Sequence, residues 1–183
     1  MPVSDPVAAL GDLDPKKVGE EELAELLEKA VATEGADFGA LAAEDFSRLI
    51  KRASSGQLQA VVDRPQLRRT VLDEVFRRMS EHYEADRARG TEAVVRWRIG
   101  SIKDSSDERT ARYECVLSGG TCEVREALAD EPRVTITVPP VEFLKLASGN
   151  ASAPTLFMTG KLKVAGDVGF ATGLTKLFQI PQA

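Results

Sequence analysis

The spacing of the hydrophobic residues changes near residue 90. Before this point apolar residues recur every three to four positions, which predicts helices with one buried face. The predicted helices span Glu20–Glu34, Phe38–Ala53 and Gln66–Arg87. Residues 1–18 contain two turn-favouring Asp-Pro pairs and no such pattern, so we expect this stretch to be flexible.

Beyond residue 90 apolar and polar residues alternate, which is typical of half-buried strands. The predicted strands are Val94–Ile99, Thr110–Leu117, Thr121–Arg125, Arg133–Val138 and Lys161–Val164. Strands with one apolar and one polar face form mostly antiparallel sheets that helices cover on one side. The segments 66–87, 140–148 and 167–178 are predicted as the covering helices. The expected fold class is α+β, with a five-stranded mostly antiparallel sheet and an N-terminal helical extension.

The segment from Phe157 to Phe178 is the most apolar part of the chain. Its predicted helix, which Asp167 can cap, has two apolar stripes where a surface helix has one. This helix is therefore expected to be buried on most sides or to contact an apolar ligand. Gly169 and Gly173 share one helix face. Either they let the backbone approach the sheet closely, or they keep a lid loose.

Composition narrows the possible partners and location. The net charge of −5 argues against nucleic acid as the main partner. No stretch reaches the roughly 18 consecutive apolar residues of a membrane span, and the N-terminus does not resemble a signal peptide. We therefore expect a cytoplasmic protein.

The sequence contains little that indicates catalysis. His82 is the only histidine, and no nucleophile motif or cofactor fingerprint is present. Cys115 and Cys122 lie on the apolar face of a predicted hairpin, directly opposite or diagonal depending on the loop. Two buried thiols are favoured over a disulfide, and two cysteines do not make a metal site. We expect no enzyme activity, no metal and no cofactor.

Three segments together resemble the sterol-carrier-protein-2 family. They are the strand-to-helix passage 130–149, the strand Gly-Lys-Leu-Lys with its flanks in 153–167, and the terminal helix 168–178. The resemblance implies a bacterial member of this lipid-transfer family with an extra N-terminal segment. It assigns 65–183 to the lipid-binding domain and leaves 1–64 as a helical extension. Val168, Phe170 and Gly173 depart from the usual family pattern, which leaves the ligand class open.

In this family the helices and the sheet enclose a hydrophobic tunnel that binds sterols, fatty acids or acyl chains without a cofactor. The resemblance therefore implies intracellular binding or transfer of such a lipid. Without the resemblance, the same residues would be expected to fill a solid core. The predicted tunnel residues are Trp97, Phe143, Leu156, Phe157, Met158, Phe170, Leu174, Leu177 and Phe178.

Other functions are compatible with the pattern. A pocket-based enzyme, for example a cyclase-like one, would use a buried hydroxyl group, for which the candidates are Thr155, Thr159, Thr172 and Thr175. Residues 19–62 could instead recognise a partner helix. The polar sheet face is expected to be solvated, with peripheral membrane contact as the alternative. Its basic residues are Arg96, Arg98, Arg112, Arg125, Arg133, Lys161 and Lys163, against Glu114 and Glu123. The oligomeric state stays open.

Overall fold

The structure is a computed structural model that describes residues 6–33, 37–126 and 131–174. The chain forms two compact units, one reaching Glu74 and the other beginning at Val75. The division falls within a helix, α5 (Pro65–Glu81). No helix in the described ranges combines the length and the apolar character needed to cross a membrane.

The first unit is helical. Before α5 it contains α1 (Pro6–Gly11), α2 (Glu20–Ala32), α3 (Ala43–Arg52) and α4 (Ser55–Val62). Segment 6–18, which shows no helical pattern in the sequence, contains α1 and a 3₁₀ turn at Pro15–Lys17. The buried Gln57 side chain holds this segment, because its amide donates to the carbonyl oxygens of Pro15 at 2.7 Å and Val18 at 3.0 Å.

Two predicted helices are shorter than expected. The predicted helix Phe38–Ala53 is a 3₁₀ turn, Phe38–Ala40, followed by α3. The Asp37 side chain accepts from the Gly39 amide and fixes that turn. The predicted helix Gln66–Arg87 ends at Glu81, because Tyr83 makes an isolated strand-type bridge and turns follow up to Gly90.

The second unit is built on a five-stranded sheet in the order β3-β2-β1-β4-β5. Its strands are β1 (Ala93–Ile99), β2 (Ala111–Ser118), β3 (Thr121–Arg125), β4 (Val134–Val138) and β5 (Lys163–Gly166). Three of the strand pairs are antiparallel, and β1 pairs with β4 in parallel. The prediction of a mostly antiparallel sheet is confirmed. The fifth strand begins two residues later than predicted, because residues 161 and 162 form a bend.

The apolar sheet face is covered by the end of α5 and by α6 (Pro140–Ala147). Phe76 of α5 is fully buried and stacks on Tyr113 of β2, with ring centroids 4.0 Å apart, and on Phe143 of α6 at 5.1 Å. The Trp97 ring of β1 meets it edge-on at 6.0 Å. We call these four residues the aromatic cluster.

The opposite face of the sheet contains a buried ion pair. Glu114 is 0% exposed, and its Oε1 accepts from Arg96 Nη2 at 2.8 Å and from Nε at 3.3 Å. Its Oε2 has no hydrogen-bond partner in the described part of the chain. The expectation of a fully solvated polar face is therefore wrong at Glu114.

Two short helices flank β5. The first, α7 (Ala153–Met158), is absent from the sequence prediction; Ser152 caps it and Pro154 occupies its first turn. The second, α8 (Val168–Gly173), confirms the start of the predicted helix 167–178, and Asp167 caps it as expected. Residues 175–178 lie outside the described residues.

The glycines of α8 make no close approach to the described backbone of the sheet. Among the described residues, a Cβ added at Gly173 would meet nothing within 4 Å, and one at Gly169 would meet only Asp167 Oδ1 at 3.5 Å. The close-packing explanation for these two glycines is therefore wrong. Gly166 is the constrained position, because its φ is +99° and an added Cβ would lie 2.5 Å from the Arg133 carbonyl oxygen.

The different surroundings of Gly166 and Gly173 predict opposite effects of an alanine substitution on the stability of the fold. We expect Gly166→Ala to lower the free energy of unfolding by about 2 kcal/mol or more, because of its positive φ and the backbone clash. Gly173→Ala is expected to raise it by about 0.5–1 kcal/mol, since alanine has the better helix propensity and the space is open. Urea unfolding of both variants measures this. A destabilised Gly173→Ala would contradict the open environment.

The buried ion pair between Arg96 and Glu114 predicts a second effect on the free energy of unfolding. Arg96→Leu leaves the Glu114 carboxylate buried without its counter-charge, which is expected to cost about 3–5 kcal/mol. The double variant Arg96→Leu/Glu114→Leu is expected to recover most of this loss in urea unfolding.

The matched control is Arg125→Leu on the same sheet face, which removes the exposed ion pair with Glu123. It should cost less than about 1 kcal/mol, because water screens that pair. Equal losses in Arg96→Leu and Arg125→Leu would show that burial of Glu114 has no energetic consequence.

Candidate ligand-binding site

The apolar sheet face and the helices around β4 and β5 form the candidate site. Pro139 and Pro140 follow β4 directly and start α6, since proline is well tolerated in the first turn of a helix. This start places Phe143 and Leu144 inward, where both are buried. In the chain α7 precedes β5 and α8 follows it, so these two helices lie at the two ends of the strand.

Four predicted tunnel residues are buried. Trp97 and Phe143 belong to the aromatic cluster, and their ring centroids lie 5.7 Å apart. Leu156 of α7 and Leu174, which follows α8, are each 4% exposed. These four residues are the buried members of the predicted set.

The other described members are more exposed. Phe157 is 49% and Met158 85% exposed at the end of α7, and Phe170 of α8 is half-buried. Leu177 and Phe178 lie outside the described residues. By exposure, the predicted set therefore has a buried group, which we call the inner group, and a more exposed group, which we call the rim.

A charged residue holds Phe170 in place. The Arg133 guanidinium lies 4.2 Å from the centre of the Phe170 ring, and its Nε donates to Asp167 Oδ2 at 3.0 Å. Asp167 Oδ1 accepts from the Phe170 amide at 2.8 Å. The alternation in the sequence predicts only that Arg133 lies on the polar face. The pairing of Val134 with Gly166 brings Arg133 and Asp167 together, and this register was not available from the sequence.

The same contacts lower the pKa of Asp167, first through the Phe170 amide and then through Arg133. A carboxyl group with a lowered pKa stabilises the folded state above its unfolded pKa. This contribution is lost as the pH falls through the folded value. The start of α8 is thus expected to loosen under acidic conditions.

The hydroxyl groups of the candidate threonines make local hydrogen bonds in the short helices α7 and α8. Thr159 Oγ1 donates to the Thr155 carbonyl and Thr172 Oγ1 to that of Gly169, both at 2.8 Å. Thr155 Oγ1 accepts from Ser152 Oγ at 2.7 Å. All three threonines are exposed, and Thr175 lies outside the described residues. None of the three described hydroxyl groups is therefore the buried polar group that a pocket enzyme would need.

The two cysteines are free and buried, as predicted. The hairpin loop is Gly119-Gly120, which pairs Cys115 with Val124 and Cys122 with Leu117 and so places the thiols diagonally. A hydrogen bond to Cys122 and burial raise the pKa of Cys115, and the same hydrogen bond lowers that of Cys122. The described residues contain no group of three potential metal ligands.

A separate groove of about 440 Å³ opens where β1 and β4 begin. None of the predicted tunnel residues lines it. The Glu92 carboxylate at its rim accepts from the Gly119 amide at 3.1 Å. The Ser118 side chain first, and this amide second, lower the pKa of Glu92. The groove is lined by Glu92, Ala93, Val94, Val116, Leu117, Ser118, Glu131, Pro132 and Arg133.

Curated relatives of this chain include a dehydrogenase-like protein and a peroxisomal protein. The chain is 27% identical over 113 residues to hydroxysteroid dehydrogenase-like protein 2 of Bos taurus, covering 62% of this chain and 26% of that protein. It is 28% identical over 98 residues to the oleate-induced peroxisomal protein POX18 of Candida maltosa, covering 52% of this chain and 77% of that protein. The chain thus spans about a quarter of the dehydrogenase-like relative.

Among solved structures, the sec-alkylsulfatase Pisa1 from Pseudomonas sp. aligns with 95% of this chain and 32% of its own. The TM-score is 0.51 and the identity 15%, so the likeness shows the fold alone. The family model described as the SCP-2 sterol transfer family matches residues 72–179, which include the whole described sheet and helices α6, α7 and α8. The chain therefore belongs to the SCP-2 sterol transfer family.

Proposed function

We propose that this chain binds and transfers a lipid or another hydrophobic ligand, such as a sterol, a fatty acid or an acyl chain. The ligand lies in a tunnel between the apolar sheet face and helices α6, α7 and α8. Membership of the SCP-2 sterol transfer family is the observation that carries this proposal. The division of the predicted residues into a buried inner group and an exposed rim supports it.

The inner group suits an apolar chain. Trp97, Phe143, Leu156 and Leu174 present no charged group, so binding is driven by the removal of ligand surface from water at about 25 cal/mol per Å². The cost of ordering the ligand opposes this gain. The polar end of the ligand stays at the rim near Phe157 and Met158, where water remains accessible.

The names of the curated relatives bear on the ligand and on the activity that we propose. POX18 is named for induction by oleate, which is consistent with a fatty-acid ligand for this chain. The dehydrogenase-like relative is about four times longer than its aligned part, so its enzyme name is not carried over to this chain. We therefore propose a binding role without catalysis.

Ligand affinity is expected to depend on chain length. Each added methylene of a fatty acid should tighten binding by up to about fourfold, from about 0.8 kcal/mol of burial, until the tunnel is full. Trp97 is the only tryptophan and lies in the proposed wall, so its fluorescence can follow a titration.

The control for this series is Val116→Ser, which alters the separate groove and should leave the chain-length dependence intact. Native mass spectrometry of the purified protein gives an independent readout. Affinities that ignore chain length, together with no lipid uptake from a panel of sterols, fatty acids and acyl-CoAs, would refute the proposal.

Phe170 is proposed to limit the width of the tunnel. Phe170→Ala is expected to weaken fatty-acid binding by about tenfold or more, because a bound ligand completes the burial of this half-buried ring and full burial of a phenylalanine contributes about 1.5–3 kcal/mol. Sterol binding should weaken less or improve, since the bulkier ligand gains the space of the ring. The measurement is the ratio of the fatty-acid affinity to the sterol affinity, compared between Phe170→Ala and the wild type.

Phe170→Leu is the matched control, which keeps an apolar side chain of intermediate size and should give an intermediate ratio. Unfolding curves of both variants separate a change in the pocket from a loss of stability. An unchanged ratio in Phe170→Ala would place Phe170 outside the binding site.

A further inference from the structure

The hairpin of β2 and β3 brings together Cys115 and Cys122, the only two cysteines of the chain. Cys122 lies opposite Leu117, two residues along β2 from Cys115, so the two thiols are diagonal neighbours on the apolar sheet face. Both are free and buried, and their side chains share a hydrogen bond. Two thiols in contact can react with each other, which a single buried thiol cannot.

The two thiols differ in reactivity. Their shared hydrogen bond raises the pKa of Cys115 and lowers that of Cys122, so Cys115 donates and Cys122 accepts. The thiolate is the nucleophilic form, which makes Cys122 the more reactive of the two.

The position of Cys122 also makes it the more accessible thiol. It is 9% exposed, whereas Cys115 is 0% exposed, and its neighbours Thr121 and Glu123 lie on the surface. Among the described strands β3 pairs with β2 alone and so ends the sheet. An edge strand of five residues opens locally at lower cost than a central strand, and a small oxidant can then reach Cys122.

The diagonal placement determines what kind of disulfide this pair can form. A disulfide needs Cα atoms about 4.4–6.8 Å apart, whereas diagonal residues of an antiparallel pair lie about 7–8 Å apart. The bond therefore requires a small movement of the backbone, which β3 can make because it is held on one side only. A disulfide formed with such strain is readily reduced again.

We propose that Cys122 and Cys115 form a reaction site for hydroperoxides, at which the two thiols become a reversible disulfide. The Cys122 sulfur attacks one oxygen of the hydroperoxide. An S–O bond forms, the O–O bond breaks, and the second oxygen takes the Cys122 proton and leaves as an alcohol, or as water from hydrogen peroxide.

The Cys115 sulfur completes the reaction by attacking the sulfenic acid formed on Cys122. The S–S bond forms as the S–O bond breaks, and the hydroxyl group leaves with the Cys115 proton as water. Two electrons thus pass from the two sulfurs to the hydroperoxide. No bound lipid is needed, so this reaction goes beyond the proposed function.

Trp97 connects the cysteine pair to the candidate site. Its indole N–H donates a hydrogen bond to the Cys115 sulfur, and its ring belongs to the aromatic cluster. Disulfide formation weakens this acceptor, so the emission of Trp97, the only tryptophan, should change on oxidation. Because Trp97 lies in the proposed tunnel wall, oxidation is expected to weaken fatty-acid binding by about threefold. This last consequence rests on the proposed function.

Treatment of the reduced full chain with hydrogen peroxide tests the proposal. At a concentration that oxidises glutathione, the wild type should lose two hydrogens by mass spectrometry and regain them with dithiothreitol. The matched control, Cys115→Ala/Cys122→Ala, should show neither this mass change nor the change in Trp97 emission. An unchanged wild-type mass, or a covalent dimer on a non-reducing gel, would overturn the proposal.

Single variants test the roles of the two thiols. Cys115→Ala keeps the attacking thiol and should stop at the sulfenic acid, which dimedone traps as a stable adduct. Cys122→Ala should give no adduct, because its remaining thiol is fully buried. Circular dichroism of both variants checks that they are folded. An adduct in Cys122→Ala with none in Cys115→Ala would overturn the assignment of Cys122 as the attacking group.

A relocated cysteine tests the effect of the diagonal placement. Cys122→Val/Val124→Cys moves one thiol directly opposite Cys115 on the same sheet face, where a disulfide needs no strand movement. Half-reduction of its disulfide should require about tenfold more dithiothreitol than that of the wild type. Equal requirements would contradict a strained wild-type disulfide.

Fatty-acid binding separates this site from the proposed function. The affinity is measured for the reduced wild type, the oxidised wild type and the peroxide-treated Cys115→Ala/Cys122→Ala variant. A disulfide that forms without any change in affinity overturns the link through Trp97 alone. A reduced wild type that binds no lipid but still forms the disulfide overturns the proposed function alone.

Discussion

The contacts of the Phe76 ring hold the sheet unit together. This fully buried ring lies against Tyr113 of β2, Trp97 of β1 and Phe143 of α6, so one side chain connects two central strands and two helices. Aromatic pairs contribute about 0.5–1.5 kcal/mol each beyond the burial of their area. Because α6 follows β4 without a linker, the contact with Phe143 also fixes the strand that pairs with β1. The positions of β5 and its flanking helices follow from β4.

The aromatic cluster gives the apolar sheet face two regions with different properties. Over β1 and β2 the rings fill the space with close contacts, and the strand residues there are almost completely buried. Toward β5 burial declines, and α8 contributes no fully buried residue. The close-packed region preserves the fold, while the region toward β5 leaves apolar side chains exposed. This gradient gives a physical basis for placing the proposed tunnel near α7 and α8.

The sequence predicts the sheet well because alternation is a local property of each strand. It misses the parallel pairing of β1 with β4, which brings together residues almost forty positions apart and leaves no local pattern. It also misses α7, since six residues that include Pro154 are too short to show a helical period. Lys161 and Leu162 alternate like strand residues, yet they form a bend. Their backbone amides donate instead to the Leu156 carbonyl, at 2.8 Å and 3.1 Å. At the candidate site, the buried inner residues follow from their apolar pattern. The exposure of Met158 and Val168 does not, because an apolar residue is ordinarily expected to be buried.

An open sheet edge beside exposed apolar residues would ordinarily promote pairing with another chain. Two features of β5 oppose such pairing. The strand has only four residues, and Lys163 places a charge on it. The backbone edge is thereby protected, whereas the side chains of Phe157, Met158 and Val168 stay accessible. A surface that resists strand addition but exposes apolar side chains is suited to a fluid apolar partner, because lipid makes no demand for backbone hydrogen bonds. The edge strand and the exposed side chains are therefore both compatible with the lipid ligand proposed for this chain.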